Sequence, residues 1–222
     1  MRVGTVGVLS LARLLTCAVV ATLTFGSALA DTISVQDWIS LPDTFTARDR
    51  YLVPQDQLST QTTAPLRFMG KVMDQTRPLW GHYAQDLRDY PNTLSCLPPS
   101  EQTKDPVNLL AFDWNVPGNG LELNVCVFRI LASLKDSFLI ADWFRYQGFR
   151  PVINNDYGYH SDFDDTRFGF DFIISSKGFH ALRRGGWFYS LTGFDVAYAY
   201  YYHISFLPDG QLGEATFGSN SE

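Results

Sequence analysis

Three carboxylates and an imidazole fall within six residues in the run Tyr157-Gly158-Tyr159-His160-Ser161-Asp162-Phe163-Asp164-Asp165. Oxygen ligands at that density could hold a hard cation, and an imidazole beside carboxylates could do acid–base work. His160, Asp162, Asp164 and Asp165 are therefore the candidate metal ligands. The spacing departs from a calcium loop, because no Gly stands at the sixth position from Asp162 and the twelfth is Ile173 rather than Glu. A solvated connector, in which each Asp caps a turn through its own side chain, explains the run without an ion and is the expected reading.

A second run, Tyr198-Ala199-Tyr200-Tyr201-Tyr202-His203, could bind rather than react. If it is a strand, alternation sends Tyr198, Tyr200 and Tyr202 to a core face with Val196 and Ile204. That leaves Tyr201 and His203 on the other face beside Ala197 and Ala199. Tyrosine combines apolar area with a hydroxyl and suits sugar or protein surfaces, so Tyr201 and His203 are the candidate ligand-binding residues.

Nucleophilic chemistry finds little support. No G-x-S-x-G elbow occurs, and the serines near His160, His180 and His203 sit in no motif that sets them against a base. His82, His180 and His203 read as hydrogen-bonded structural histidines, with His180 in a turn. No catalytic residue and no cofactor are assigned.

Of the three cysteines, Cys17 lies in the N-terminal apolar run, which leaves Cys96 and Cys126. An even pair in an exported chain predicts a disulfide. It would close a loop of about 30 residues, worth about 3 to 4 kcal/mol on the chain-entropy model. Zinc would need more ligands at close spacing than either cysteine has.

The elements that must position these groups follow from periodicity. Leu66 to Tyr90 carries apolar residues at helical spacing, with Pro78 dividing it into two helices or kinking one. Residues 54–65 and 97–106 are Pro- and polar-rich and read as loops. Val107 to Trp114 and Leu121 to Ile130 flank Pro117-Gly118-Asn119-Gly120 and predict a β-hairpin, with Leu121, Leu123, Val125 and Val127 on one side. Ser133 to Gln147 is helical again, closed by Gly148, and Phe149 to Ile153 reads as a strand, so that strand, helix and strand make a crossover unit. Arg167 to Ile174, Gly186 to Leu191, Val196 to Phe206 and Leu212 to Phe217 predict further strands, with Pro208-Asp209-Gly210 as the turn before the last. The expected fold class is α+β, a mainly antiparallel sheet with helices packed on one face.

The N-terminus gives the address. Arg2 and Arg13 flank the start of an apolar run that ends at Ala28-Leu29-Ala30, the small-x-small pattern read by a signal peptidase. Residues 1–30 are read as a signal peptide and 31–222 as a single domain beginning at Asp31, with no membrane insertion after cleavage. The uninterrupted apolar stretch falls short of the ~20 residues of a membrane span. Losing the two arginines leaves 15 basic against 23 acidic residues, a formal charge of -8. That balance disfavours nucleic acid and an anionic membrane surface as partners, which are bound through clustered Lys and Arg, and no nucleic-acid partner is expected.

An exported protein, periplasmic or secreted, that binds another envelope or extracellular protein is the leading expectation, as an inhibitor, neutralising or assembly factor. The alternatives are a glycan or small-molecule binding module that uses aromatic sheet residues, and an envelope hydrolase with a discontinuous His/Asp site. An acidic flat surface, a deep pocket or a His–carboxylate pair in a cleft would separate the three.

Overall fold

The computed structural model describes residues 48–152, 168–183, 192, 195 and 197–221, with Phe168, Tyr198, Asn220 and Ser221 as backbone alone. Four expectations lie outside the described residues: the signal segment 1–30 with its cleavage before Asp31, Cys17, the connector with His160, Asp162, Asp164 and Asp165, and the run 186–191.

The chain is α+β, and every pair among the described strands is antiparallel. In chain order the elements begin with β1 (Leu52–Val53), β2 (Arg67–Phe68), β3 (Lys71–Val72), α1 (Trp80–Asp89), α2 (Pro99–Gln102) and β4 (Val107–Asn108). They continue with α3 (Gly120–Leu134), α4 (Ser137–Tyr146), β5 (Arg150–Pro151), β6 (Phe168–Ser175), α5 (Ser176–Arg183), β7 (Ala197–Phe206) and β8 (Leu212–Ser221). Strands β5-β6-β7-β8 make a four-stranded sheet in sequence order, β1 pairs with β4, and β2 with β3.

Several expectations are corrected. The hairpin over 107–130 is not formed: beyond the short β4, residues Gly120–Leu134 are the longest described helix, α3. Asn119, read as a turn residue, is its N-cap, and its Oδ1 accepts from Leu121 N at 2.8 Å and Glu122 N at 3.1 Å. The alternation in 121–127 misled because α3 is buried nearly all round, with Asn124, Cys126 and Phe128 as enclosed as Leu123, Val125 and Val127. The crossover unit disappears with that strand, and β5 pairs antiparallel with β6. A single helix over 133–147 becomes two, because Lys135 adopts φ 59 and ends α3, and Asp136 caps α4 through Phe138 N and Leu139 N.

The helix expected from Leu66 survives only in α1. Residues 67–72 form a two-residue hairpin in which Met69 and Gly70 have φ 52 and 71, the left-handed pair that such a turn requires. Part of the loop expected over 97–106 is the one-turn helix α2, with Pro99 in its first turn. His180 lies in α5, not in a turn.

The C-terminal strands stand as expected. Phe172, Ile174, Tyr202, Ile204, Phe206 and Ala215 face the helices and are buried. Asp209 and Gly210 turn β7 into β8, with Leu207 N donating to Gln211 O at 2.8 Å. Trp114, Trp143, Phe144, Phe149, Phe172 and Tyr202 form the centre of the core, with Phe144 stacked on Phe172 at 4.5 Å. Both indole N–H groups are satisfied, Trp114 by Gln147 Oε1 at 2.8 Å and Trp143 by Leu109 O at 2.9 Å.

Candidate functional site

Helix α3 helps to position a concavity. Four of its residues, Glu122, Cys126, Arg129 and Ser133, recur at i, i+4, i+7 and i+11 and so share one stripe. Together they tie residues 59–64, 90 and 93–96 to the helix. Glu122 accepts from Tyr90 Oη at 2.9 Å. Cys126 is bonded to Cys96, S–S 2.08 Å, so the expected disulfide is present and both cysteines are fully buried. Arg129, also fully buried, donates through Nη1 to Ala64 O at 2.6 Å and through Nη2 to Gln61 Oε1. Ser133 Oγ accepts from Ser59 N at 2.9 Å and bonds Thr93 Oγ1 at 2.8 Å, while Ser59 Oγ donates to Arg129 O at 3.0 Å.

These bonds fix the segment 59–65 as a wall. Between it, the C-terminal half of α3, α4 and the β7–β8 turn lies a cavity of about 580 Å³. Its floor is apolar, made of Leu58, Phe128, Leu131, Ile140, Phe206 and Leu212, all buried. The rim is charged on two sides, with Arg67 and Lys135 supplying cations and Asp56 and Asp209 carboxylates. Lys135 reaches the rim because its left-handed backbone ends the helix there. Burial pushes the Arg129 guanidinium down to about 10, the cost of holding a cation inside the wall.

A second polar cluster lies where α5 meets β7. Asp195 Oδ2 accepts from Ser176 Oγ at 2.8 Å and Tyr200 Oη at 2.7 Å and lies 2.6 Å from His180 Nε2, while Oδ1 accepts from Ala197 N at 3.1 Å. Burial alone would raise this carboxyl. The bonds from Tyr200, Ala197, Ser176 and His180 outweigh it and hold Asp195 well below the usual carboxylate range. Tyr200 is pushed up by burial and by the adjoining carboxylate. Ser, His and Asp are all present, but the carboxylate stands at the centre. A relay needs the imidazole between serine and acid, and here Ser176 donates directly to Asp195. The arrangement fastens α5 to the start of β7.

The sequence-derived ligand residues lie elsewhere, on the outer face of the sheet. His203 Nδ1 is 2.8 Å from Asp171 Oδ1 across the β6–β7 pair, and Tyr201 is half-buried beside them. Neither lines the cavity. Among the described residues no three His, Cys, Asp or Glu side chains are grouped to hold a metal, and no helix is long and apolar enough to cross a membrane.

Sequence reasoning missed the cavity, because its lining comes from segments far apart in the chain. It missed the stripe for a different reason: the helical recurrence from Glu122 to Ser133 was present but masked by a coincident alternation. Ser176 and His180, one helical turn apart, were a similar signal once 176–183 is helix. No protein-family model, curated protein or solved structure matches this chain.

Proposed function

We propose that the protein is an exported binding module whose cavity takes a small amphiphilic molecule. The observation that carries this reading is the cavity of about 580 Å³ with six buried apolar residues in its floor and cations and carboxylates divided around its rim. Concave sites of some 300 to 1,000 Å³ with apolar walls and a few polar groups are the usual form of small-molecule sites. An apolar body would lie against Phe128, Leu131 and Phe206, and a polar head would meet Lys135, Arg67, Asp56 or Asp209. The N-terminal signal pattern and the buried Cys96–Cys126 bond support export. The cavity favours the small-molecule alternative over the protein-binding reading that composition suggested. The hydrolase alternative gains nothing from the described His–carboxylate pairs.

The test is a titration of the isotope-labelled exported protein with octanoate, octylamine and dihexanoylphosphatidylcholine, followed by amide NMR shifts. Saturable shifts confined to 56–65, 128–135 and 206–212 are expected with at least one of them. Ala132→Phe, which fills the half-buried wall of the cavity, should weaken that binding by about tenfold or more. Shifts that rise linearly and scatter over the surface with all three would refute the proposal.

A further inference from the structure

We propose that the outer face of the four-stranded sheet is a second, separate site, a platform for a pyranose sugar built from Tyr201, His203 and Asp171. Pairing places the three together: Asp171 is opposite His203, and Tyr201 lies between Ile173 on β6 and Gly218 on β8.

Each ring lies over space that a glycine leaves open. A Cβ at Gly218 would fall 2.3 Å from Tyr201 Cζ and 2.4 Å from its Oη, so the phenol reclines across β8 instead of standing off the sheet. A Cβ at Gly169 would fall 3.3 Å from His203 Cε1 and 2.9 Å from Ile204 O. The Tyr201 ring laid along the sheet is the flat form that stacks on the C–H face of a pyranose, while His203, its side chain 15% exposed, positions Asp171.

The polar groups match the rest of a sugar. Asp171 Oδ1 is occupied by His203, while Oδ2 takes no hydrogen bond from any described residue and the side chain is 31% exposed. A carboxylate oxygen beside an aromatic face is an acceptor for sugar hydroxyls, and charged acceptors make the stronger bonds. Gly169, Ser175 and Arg150 are exposed around the margin, and Asp171, Tyr201, Thr216 and Gly218 are half-buried. Among the described residues its far end is covered by the β2–β3 hairpin, where Met69 N donates to Glu214 Oε2 at 3.0 Å and Gly70 N to Gly213 O at 3.2 Å.

Covering a strand glycine with an aromatic ring stabilises a sheet by itself. That would account for Tyr201, but it asks nothing of Asp171. The face lacks the broad apolar area that a protein hot spot needs. The platform is independent of the cavity reading, because none of its residues lines the cavity.

The experiment is an NMR titration of the exported protein with cellotriose, maltotriose and chitotriose. One of the three is expected to bind saturably, moving the amides of 171, 201, 203 and 216–218 and leaving those of 56–65 still. Tyr201→Ala should weaken that binding by about tenfold and Tyr201→Phe should preserve it, since stacking and not the hydroxyl carries the contact. Asp171→Ala, at a half-exposed position, provides a second loss if Tyr201→Ala perturbs the sheet. Absence of saturable binding with all three sugars, or equal binding by Tyr201→Ala and Asp171→Ala, would overturn the site. Octanoate and octylamine binding should be unchanged in every variant, which separates failure here from failure at the cavity.

Discussion

On its striped side α3 is held by specific directional ties: Tyr90 to Glu122, Cys96 to Cys126, Thr93 to Ser133, and the wall 59–65 to both Arg129 and Ser133. The sheet, in contrast, joins the helices through aromatic packing, Phe144 on Phe172 and Trp114 on Phe149, in which Phe144, Trp114 and Phe149 each touch several other rings. Ties of the first kind are local and directional, so losing one frees one segment. Contacts of the second kind are shared, so losing one ring leaves a void felt by all. The cavity lies on the boundary, with its wall held by the first chemistry and its floor built from the second.

Deleting a shared ring should have the largest effect. Phe144→Ala is expected to cost about 3–5 kcal/mol and lower the melting temperature in one cooperative transition. A loss under about 1 kcal/mol in calorimetry would show that the core collapses around the gap and is not shared in the sense argued. Replacing both cysteines by Ser should cost about 3 to 4 kcal/mol, less any strain relieved. Its signature is local: amides of 93–97 lose hydrogen-exchange protection while those of β7 keep theirs.

Smaller effects sharpen the contrast, and both are gains. Tyr202 Oη is buried in the aromatic centre without a hydrogen-bond partner, so Tyr202→Phe should stabilise by about 1 kcal/mol in denaturant melts. Asp86 on α1 is buried with Oδ2 unpartnered, and its carboxyl is raised by burial, Glu122 and Asp89. A raised acid is most compatible with folding below the unfolded pKa of 3.8 and costs stability as pH rises through its folded value. Asp86→Asn should therefore raise the melting temperature at pH 7, with the gain shrinking toward pH 3. A gain equal at both pH values would mean that charge is not the cause.

The same division explains what the sequence revealed. Strands β6, β7 and β8 and the turn at Asp209-Gly210 were legible because aromatic alternation and turn chemistry are local signals. So was the cysteine pair, from its count alone. Helix α3 was not, since a helix buried on all sides has no polar face to display its period, and Leu121, Leu123, Val125 and Val127 mimicked a strand. The β2–β3 hairpin was hidden because Met69 holds a left-handed position that Asn or Gly normally marks. Tyr201 and His203 lie on the sheet face opposite Tyr202, as alternation predicted, whereas the cavity exists only through long-range ties that no window of sequence contains.

The stripe of α3 holds the wall of the cavity. Hydrogen exchange in Arg129→Met tests it most directly, because methionine keeps the buried stem and removes the bonds to Ala64 and Gln61. Ala64 N, bonded to Thr60 O at 2.9 Å, and Leu66 N, bonded to Gln61 Oε1 at 3.3 Å, should lose protection by about tenfold or more while amides of β7 are unchanged. Protection at 64 and 66 equal to that of the unaltered protein, or a uniform loss across wall and sheet alike, would contradict it.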